Sequence, residues 1–414
     1  MWIRIKDIKL LVGAAANDEE EREHLLRKIC KMLRIEREKI KGISIYRKSP
    51  DLRKKSEPLF VYTVDTELVS VPKYANPAFY TPIPGQVNKF EEYIKQIRQK
   101  QAAMRCSTRP VIVGFGPAGL FASLILSEAG LCPIILERGR CVEERIKDVN
   151  LFWRQNRLNP ESNIQFGEGG AGTFSDGKLN SLIREKDTVG RFVLETFVKF
   201  GAPKEILYKN KPHIGTDVLS QVIANMRAYL LEHGAEIRFS TQVTDFLVED
   251  QRLQAIRLNH DEWMNIDAVV LAIGHSARDT FETLQKRQIP MEAKAFAVGF
   301  RVEHPQDMIN HMQYKGADMR YLSPASYKLT ANFENHRGVY SFCMCPGGEV
   351  VAASSEEGLL AVNGMSRYAR DGRNSNSAVL VSIAASDTPD GQIELHFSPE
   401  AADTALRCRL SATL

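Results

Sequence analysis

Three glycines at fixed spacing are the strongest chemical signal in this sequence of 414 residues. Gly114, Gly116 and Gly119 form the pattern GxGxxG, and Glu137 follows 18 residues after the last of them. In such a pattern the first glycine permits a tight turn, the second lets the backbone approach a pyrophosphate, and the third lets a helix pack closely on a strand. An acid at this distance accepts a hydrogen bond from a ribose hydroxyl. The spacing therefore predicts a site for the diphosphate and ribose of a dinucleotide.

The segments around these glycines match the elements that position such a site. Residues 111–113 are apolar and β-branched, which predicts a buried parallel strand, and residues 117–130 predict a helix with proline in its first turn. Residues 133–136 predict a second strand, which ends at Glu137. A helix that begins directly after a strand presents free backbone N–H groups to an anion. The alternative, an incidental glycine turn, does not account for this order of strand, helix and strand.

A second glycine-rich run, residues 167–178, is the other stretch that predicts ligand binding. Its first eleven residues hold five glycines, with Gly169 and Gly170 at the centre, and Thr173 and Lys178 supply side-chain donors. Such a run exposes backbone N–H groups and permits close approach to a flat or anionic ligand. Together with the dinucleotide pattern upstream, it predicts a loop that covers a flavin and its phosphates. A merely flexible loop is the alternative.

The composition is typical of a globular protein with two or three domains. Of all residues, 43% are hydrophobic and 26% are charged, and the length is sufficient for a large core. No apolar run is long enough to span a membrane, and the first residues lack a secretory h-region, so a cytoplasmic location is predicted. The seven cysteines are scattered, without a CxxC pair. This pattern predicts reduced thiols and no metal site.

The N-terminal part of the chain has a different charge balance from the rest. Residues 1–105 hold 22 Lys/Arg against 14 Asp/Glu, a net charge of about +8. Asn17 is a predicted helix N-cap, as is Asp217 later in the chain, and the strand patterns on either side of the first helix give the order βαββ. Residues 47–55 form a basic loop between two of these strands. Two interpretations are open: contact with the phosphates of RNA, or an ordinary solvated loop.

Several longer motifs resemble the bacterial family of uncharacterised FAD-dependent dehydrogenases, which are relatives of the flavoproteins with a glutathione-reductase-type fold. The motifs are GFGPAG with LERG, FGEGGAGTFSDGKLN, KPHIGTD, VVLAIGHSARDT and YSFCMCPGGEVVAASSEEG. The resemblance implies an α/β fold, in which a Rossmann-like FAD-binding domain carries a β-rich inserted cap domain behind a small N-terminal α+β domain. It also implies a tightly held FAD. It does not supply a reaction.

The resemblance also implies which residues hold the cofactor. A strand meander in such flavoproteins places one backbone segment against the adenine, a role that falls here on Val243, and a strand that returns to the cofactor ends at Gly274. The implied FAD-binding residues are Gly114, Gly116, Pro117, Ala118, Gly119, Glu137, Arg138, Gly169, Gly170, Thr173, Lys178, Val243 and Gly274.

The catalytic residues stay open at this point. Cys343 and Cys345 are two apart on a predicted strand, so both could face the flavin, where a thiolate can relay electrons. Buried packing or substrate lining is the alternative for both thiols. His213 is the best titratable candidate for proton transfer.

The predicted domains follow from these motifs and from changes in composition. They are a small basic α+β domain (1–70), a linker with four prolines (71–108), the FAD-binding domain (109–290), a β-rich substrate or cap domain (291–375), and a return strand with an atypical tail (376–414). The tail has little periodicity and lacks the family's later glycine-rich segment, so the chain is expected to be truncated at its C-terminus. Retention of FAD depends on whether the site closes without that segment.

Two functions are open on the sequence alone. The first is an FAD-dependent oxidoreductase that transfers hydride between the flavin and an unidentified small organic substrate. No further GxGxxG lies between a predicted strand and a predicted helix to mark a separate NAD(P)H domain, so NAD(P)H is expected only as a transient electron donor. The second is a flavoprotein that binds or modifies RNA through its basic N-terminal domain, or an inactive truncated flavoprotein.

Overall fold

The computed structural model describes residues 1–54, 57–70, 76–83, 89–101, 108–179, 189–314, 319–332, 337–384, 387, 392–394 and 409–411. Its α-helices are α1 (Asp18–Leu33), α2 (Lys89–Gln101), α3 (Pro117–Glu128), α4 (Val142–Gln155), α5 (Val189–Lys199), α6 (Thr216–Glu232), α7 (Arg278–Lys286) and α8 (Gln306–Tyr314). Its strands are β1 (Trp2–Leu11), β2 (Ile40–Asp51), β3 (Leu59–Leu68), β4 (Tyr80–Pro82), β5 (Val111–Val113), β6 (Ile134–Leu136), β7 (Glu236–Arg238), β8 (Val243–Glu249), β9 (Arg252–Leu258), β10 (Glu262–Asn265), β11 (Val269–Leu271), β12 (Phe296–Pro305), β13 (Thr330–Asn332), β14 (Gly338–Cys345), β15 (Gly348–Ala352), β16 (Val362–Ser366), β17 (Asn374–Ile383), β18 (Gln392–Glu394) and β19 (Arg409–Ser411).

The chain divides into two compact units, each built from three segments. The N-terminal unit comprises Met1–Glu91, Lys178–Ile214 and His304–Ser326. The core unit comprises Glu92–Gly177, Gly215–Glu303 and Tyr327–Leu414. In the part of the chain that the structure describes, no helix is both long and apolar enough to cross a membrane.

The N-terminal unit is built on an antiparallel sheet with the strand order β2-β3-β1-β4. Helix α1 buries one stripe of side chains at helical spacing, Leu25, Ile29 and Leu33, against this sheet. Asn17 is its N-cap, because Asn17 Oδ1 accepts the N–H of Glu20 (2.9 Å), and Glu20 Oε2 in turn accepts the N–H of Ala16, the residue before the cap (2.9 Å). The predicted N-cap and the predicted βαββ order are therefore confirmed.

The basic segment that was predicted to be a loop lies largely in a strand, because β2 continues to Asp51. Two of its cations are bonded to side chains elsewhere in the chain. Lys48 is paired with Glu21, and Arg47 donates to the side chain of Asn210 (2.6 Å). Contact of this segment with RNA stays a prediction.

The core unit contains a parallel sheet of four short strands in the order β11-β5-β6-β7. Both β5 and β6 are buried along their whole length, as expected for apolar strands covered on both faces. The meander β8-β9-β10 packs on this sheet through the apolar side chains of Val243, Phe246 and Ile256. Because all four strands run in one direction, their carboxyl ends lie at one edge, and the loops that follow them meet there.

The remaining strands of the core unit form a second sheet, β12-β17-β14-β13, the hairpin β15-β16 and the antiparallel pair β18-β19. Strand β17 ends at Ile383, and most of the predicted tail beyond residue 384 lies outside the described residues. One predicted helix cap in this unit is wrong. Helix α6 begins at Thr216, and Asp217 lies within its first turn, where its Oδ1 accepts the N–H of Tyr368 (2.8 Å). The Asp217 carboxylate therefore accepts a backbone N–H that is distant in sequence, and it does not cap the helix.

Candidate functional site

A cavity of about 540 Å³ opens at the carboxyl edge of the parallel sheet, within the core unit. The residues at or just after the ends of three strands line it, with Gly114 following β5, Glu137 following β6 and Ala272 following β11. Its volume lies in the range of sites that hold small molecules and cofactors. Nine of the predicted FAD-binding residues line this cavity: Gly114, Gly116, Pro117, Ala118, Glu137, Arg138, Gly170, Val243 and Gly274.

The glycine loop between β5 and α3 has a geometry that a larger residue would disturb. Gly114 has a φ of +96°, and a Cβ there would lie 2.4 Å from the carbonyl oxygen of Ala272. A Cβ on Gly119 would lie 1.9 Å from the carbonyl oxygen of Gly114. Farther along, a Cβ on Gly170 would lie 2.9 Å from Gly116 Cα. The two glycine-rich runs therefore meet backbone against backbone at the cavity.

The carboxylate of Glu137 joins three parts of the cavity wall. It is only 4% exposed, and its Oε2 accepts the N–H of Phe115 (2.7 Å). Its Oε1 accepts the N–H groups of Gly139 (2.8 Å) and Gly167 (2.9 Å). One side chain thus ties the first glycine loop to the second.

Replacement of Glu137 by glutamine is expected to lower the free energy of unfolding by about 2 kcal/mol or more, since hydrogen bonds to charged groups are worth about 1.5–3 kcal/mol each. The amide can accept only at its oxygen, so one of the three backbone N–H groups would face an NH₂ group. Urea unfolding of the variant measures the loss. The exposed Glu232→Gln at the end of α6 is the control, and equal losses in both variants would contradict the role of Glu137.

Arg138 lies at the edge of the cavity between two carboxylates. Its Nε donates to Glu161 (2.9 Å) and its Nη2 to both Glu161 and Asp279 (3.0 Å each), and the guanidinium lies 4.0 Å from the ring centroid of Phe166. Asp279 also accepts a hydrogen bond from Gln242 (2.6 Å). Glu161 and Asp279 therefore neutralise the charge of Arg138, which adds no net positive charge at the edge of the cavity.

A buried arginine that the sequence did not single out shapes the second loop. Arg145 on α4 has no exposed surface, and its guanidinium donates to the carbonyl oxygens of Asn163 (2.7 Å), Ile164 (2.8 Å), Gly167 (3.2 Å) and Glu168 (2.7 Å). Burial lowers the pKa of Arg145 to about 10, although nearby carboxylates oppose this shift. Four carbonyls gathered on one side chain fix the turn that leads into the glycine run.

Glu168, also fully buried, supports the same loop from the other side. Its Oε2 accepts the N–H of Val142 (2.7 Å) and a guanidinium N–H of Arg227 (2.7 Å). Its Oε1 has no hydrogen-bond partner among the residues that the structure describes. Burial raises the pKa of Glu168 to about 7, which Glu143 and Glu137 reinforce and the two donors oppose.

The raised pKa of Glu168 gives a pH dependence of stability with a defined window. The folded state binds this proton more tightly than the unfolded chain, whose pKa is 4.5, so the contribution is complete below pH 4.5 and is lost as pH rises to about 7. We expect a loss of about 3 kcal/mol across this window, at about 1.36 kcal/mol per pKa unit. Glu143, whose pKa is lowered to about 2 by hydrogen bonding to Arg227, acts in the opposite direction and only below pH 4.5.

Unfolding in urea at the two ends of this window checks the expectation. In Glu168→Gln the stability difference between pH 4.5 and pH 7 should shrink by most of that amount, because no group titrates at position 168. The control is Glu232→Gln, an exposed position on α6. The same pH slope in the Glu168 variant and the parent would contradict the assignment.

Four predicted FAD-binding residues do not line the cavity. Gly119 is buried between α3 and β5, Gly169 donates its N–H to the carbonyl of Phe115 (2.9 Å), and Thr173 is buried with its hydroxyl near Arg145 Nη1 (3.4 Å). These three residues make packing or hydrogen-bond contacts within the loops and do not face the cavity. Lys178 belongs to the N-terminal unit, where it forms an isolated antiparallel bridge with His213.

The catalytic candidates His213, Cys343 and Cys345 do not line the cavity either. Cys343 has a φ of +48° in a bulge of β14, which interrupts the strand alternation on which a shared face depended. Cys345 is fully buried, and its thiol lies 3.1 Å from the carbonyl oxygen of Cys343. The cavity instead contains Gln165 and Phe166, for which nearness to the glycine run was the only sequence signal.

The glycine run is also fastened to the C-terminal strands of the core unit. Asp176 is buried and accepts hydrogen bonds from Ser366 and from two nitrogens of Arg370, one of them Nε at 2.9 Å. The carbonyl of Phe174 accepts the side-chain amide of Asn363 (3.3 Å). Both ends of the run are thus held by buried polar contacts, so it is not merely a flexible loop.

The relatives of the chain define its family. An uncharacterised protein of Clostridium beijerinckii is 44% identical over 390 residues, which cover 94% of this chain and 70% of the clostridial protein. The chain belongs to the same family as this clostridial protein. Residues 295–406 match the model of the family described as FAD-dependent protein, C-terminal domain-like, and residues 2–67 match a domain of unknown function (DUF8436). The first of these matches supports a flavin-dependent protein.

Solved structures show weaker similarity. They include an L-amino acid deaminase from Proteus vulgaris (11% identity, 47% of this chain and 59% of that chain, TM-score 0.32) and the halogenase PltM (11%, 72% and 54%, TM-score 0.36). A third is THI4 of Thermovibrio ammonificans (18%, 51% and 73%, TM-score 0.29). The chain spans little more than half the length of the first two proteins. Similarities this low carry no information on function.

Proposed function

We propose that the protein is an FAD-dependent oxidoreductase that transfers hydride between the flavin and a small organic substrate. The observation that carries the proposal is the cavity at the carboxyl edge of the parallel sheet, where two glycine-rich backbones meet at Gly116 and Gly170. Such an edge is where α/β proteins of this kind bind nucleotides.

The residues present fit the adenosine diphosphate half of FAD. Helix α3 begins at Pro117, and the N–H groups of its first turn have no acceptor within the helix, so they can receive a diphosphate. A carboxylate has about four acceptor positions. Three backbone N–H groups occupy Glu137, which leaves about one position for a ribose hydroxyl. Val243 lines the same cavity, where its backbone would lie against the adenine.

When bound, FAD supplies a ring system that accepts or donates a hydride. The chain binds and orients it with the glycine backbones, and apolar side chains such as Val113, Ile273 and Phe281 exclude water from the cavity. His213, Cys343 and Cys345 remain candidates for proton or electron transfer, but they lie outside the cavity lining, so we assign them no step. NAD(P)H is the proposed transient donor.

An anaerobic screen tests the proposed reaction class. Protein loaded with FAD is mixed with NADH, NADPH and panels of amines, alcohols and α-hydroxy acids, and the visible flavin absorbance is followed. Bleaching by one class identifies the donor and supports the oxidoreductase. If no donor bleaches the flavin, and the protein binds RNA with an affinity that falls steeply with salt, the alternative function replaces it.

A further inference from the structure

The N-terminal unit contains a cavity of its own, with a volume of about 340 Å³. We call it the N-terminal cavity. It is formed by the first turns of α1, the residues 43–45 of β2, and side chains between residues 191 and 208. All of these segments lie in one compact unit, and none of them lines the cavity of the core unit. The volume is at the lower end of the range for small-molecule sites.

Hydrogen bonds connect the segment around Tyr208, which lines this cavity, to the edge strand β2. The N–H of Lys48 donates to the carbonyl of Tyr208 (2.8 Å), and the N–H of Asn210 donates to the carbonyl of Lys48 (3.1 Å). Arg47 adds a side-chain hydrogen bond to Asn210 (2.6 Å). Because β2 is at the edge of its sheet, these bonds also satisfy its open side. The cavity therefore has walls that are held in place without a ligand.

One side of the N-terminal cavity carries two carboxylates of α1. Asp18 and Glu21 are three residues apart and lie on the same face of the helix. Glu21 is only 9% exposed, and its Oε1 accepts hydrogen bonds from the Tyr62 hydroxyl (2.5 Å) and the Lys48 ammonium group. Its Oε2 has no hydrogen-bond partner in the described part of the chain. Glu21 thus keeps one acceptor oxygen, with a second carboxylate beside it, for an ammonium group.

Cations line the same cavity. Arg191 is already engaged, because it pairs with Glu195 (2.7 Å) and donates to the carbonyl of Leu207 (2.9 Å). Arg22 donates to a backbone carbonyl, but neither Arg22 nor Lys204 forms an ion pair with any residue that the structure describes. The cavity therefore offers positive charge to a carboxylate as well as negative charge to an amine.

We propose that the N-terminal cavity binds a small zwitterion, namely an α-amino acid with an apolar side chain. Glu21 and Asp18 hold its ammonium group, and Lys204 holds its carboxylate. Its side chain packs against Ile43 and Ile45 of β2, which are only partly buried and form an aliphatic part of the wall. A ligand with one charge would leave the other set of charged groups unmatched, so the cavity selects for both charges together. This binding function goes beyond the proposed oxidoreductase activity and does not depend on it.

Isothermal titration of the full chain with each standard amino acid tests the proposal. The charge requirement is tested with 4-methylpentanoate and 3-methylbutylamine, which are L-leucine without its ammonium group and without its carboxylate. We expect saturable binding of apolar amino acids and at least about tenfold weaker binding of both analogues, as for loss of a charged hydrogen bond. Absence of saturable binding by every amino acid, or equal binding of an analogue, would overturn the proposal.

Variants at exposed positions locate the site without disturbing the buried Glu21. Asp18→Asn and Lys204→Met should each weaken amino-acid binding by about tenfold, because each removes one charged contact. The matched controls are Glu19→Gln in the same helical turn and Lys199→Met on α5, neither of which lines the cavity. Amino-acid binding that is the same in these two variants as in the controls would show that the ligand sits elsewhere.

Discussion

Replacement of Gly114 by alanine is expected to lower the fraction of the protein that retains FAD. The residue has a φ of +96°, which strains any L side chain, and the new Cβ would lie 2.4 Å from the carbonyl oxygen of Ala272. The N–H of Ala272 is itself bonded to the carbonyl of Val113 (2.8 Å), so the obstacle is backbone at the join of two strands. The methyl group must push β5 and β11 apart where the cavity opens. At about 1.4 kcal/mol for each factor of ten, strain and clash together predict FAD binding at least about tenfold weaker.

The ratio of flavin to protein after reconstitution and gel filtration measures this effect. The control is Gly42→Ala in β2, where a Cβ would have no neighbour within 4 Å, and its flavin ratio should equal that of the parent. A Gly114→Ala protein that keeps a full complement of FAD would show that the diphosphate does not lie against this loop.

Replacement of Arg145 by methionine is expected to cost about 3–5 kcal/mol of stability, as removal of one partner from a buried charged network does. Methionine fills much of the volume but donates no hydrogen bond, so the buried carbonyls of Asn163, Ile164, Gly167 and Glu168 lose the guanidinium as a donor. The buried carboxylates of Glu137 and Glu168 also lose a nearby cation. Since Gln165 and Phe166 line the cavity, the loop should loosen and FAD retention should fall together with stability.

Urea unfolding and the flavin ratio are measured on the same preparations of this variant. Arg154→Met is the matched control, because Arg154 is exposed in the last turn of the same helix α4. We expect the control to lie within about 0.5 kcal/mol of the parent, as is usual for exposed substitutions. An Arg145 variant as stable as this control would remove the proposed role of the buried guanidinium in shaping the second loop.

The local elements around the first glycine loop could be predicted because their signals lie within a few residues. Each of these signals depends on neighbours close in sequence: the apolar run 111–113, the proline at position 117 and the acid at position 137. The structure has the strand, the helix and the carboxylate in that order. The N-cap at Asn17 was predicted for the same reason. Short-range backbone preferences decide these features.

The buried side chains that hold the glycine-rich loops in place could not be predicted, because their contacts join residues that are far apart in the chain. A buried arginine such as Arg145 looks like any other charged residue of an amphipathic helix, and only the loop folded over it buries its charge. Asp176 and Arg370 pair across more than 190 residues. The bulge at Cys343 is likewise set by the pairing of β14 with β17 and has no local signal.

The visible absorbance spectrum of the purified 414-residue protein tests the central claim most directly, with FAD added back and excess removed by gel filtration if the preparation is colourless. A bound flavin spectrum at a ratio of about one FAD per chain is the predicted result, since one cavity lies against the glycine loop between β5 and α3. A decrease of that spectrum in Gly114→Ala, with retention in Gly42→Ala, would place the flavin in the cavity of the core unit. A parent protein that binds no flavin after reconstitution would contradict the account.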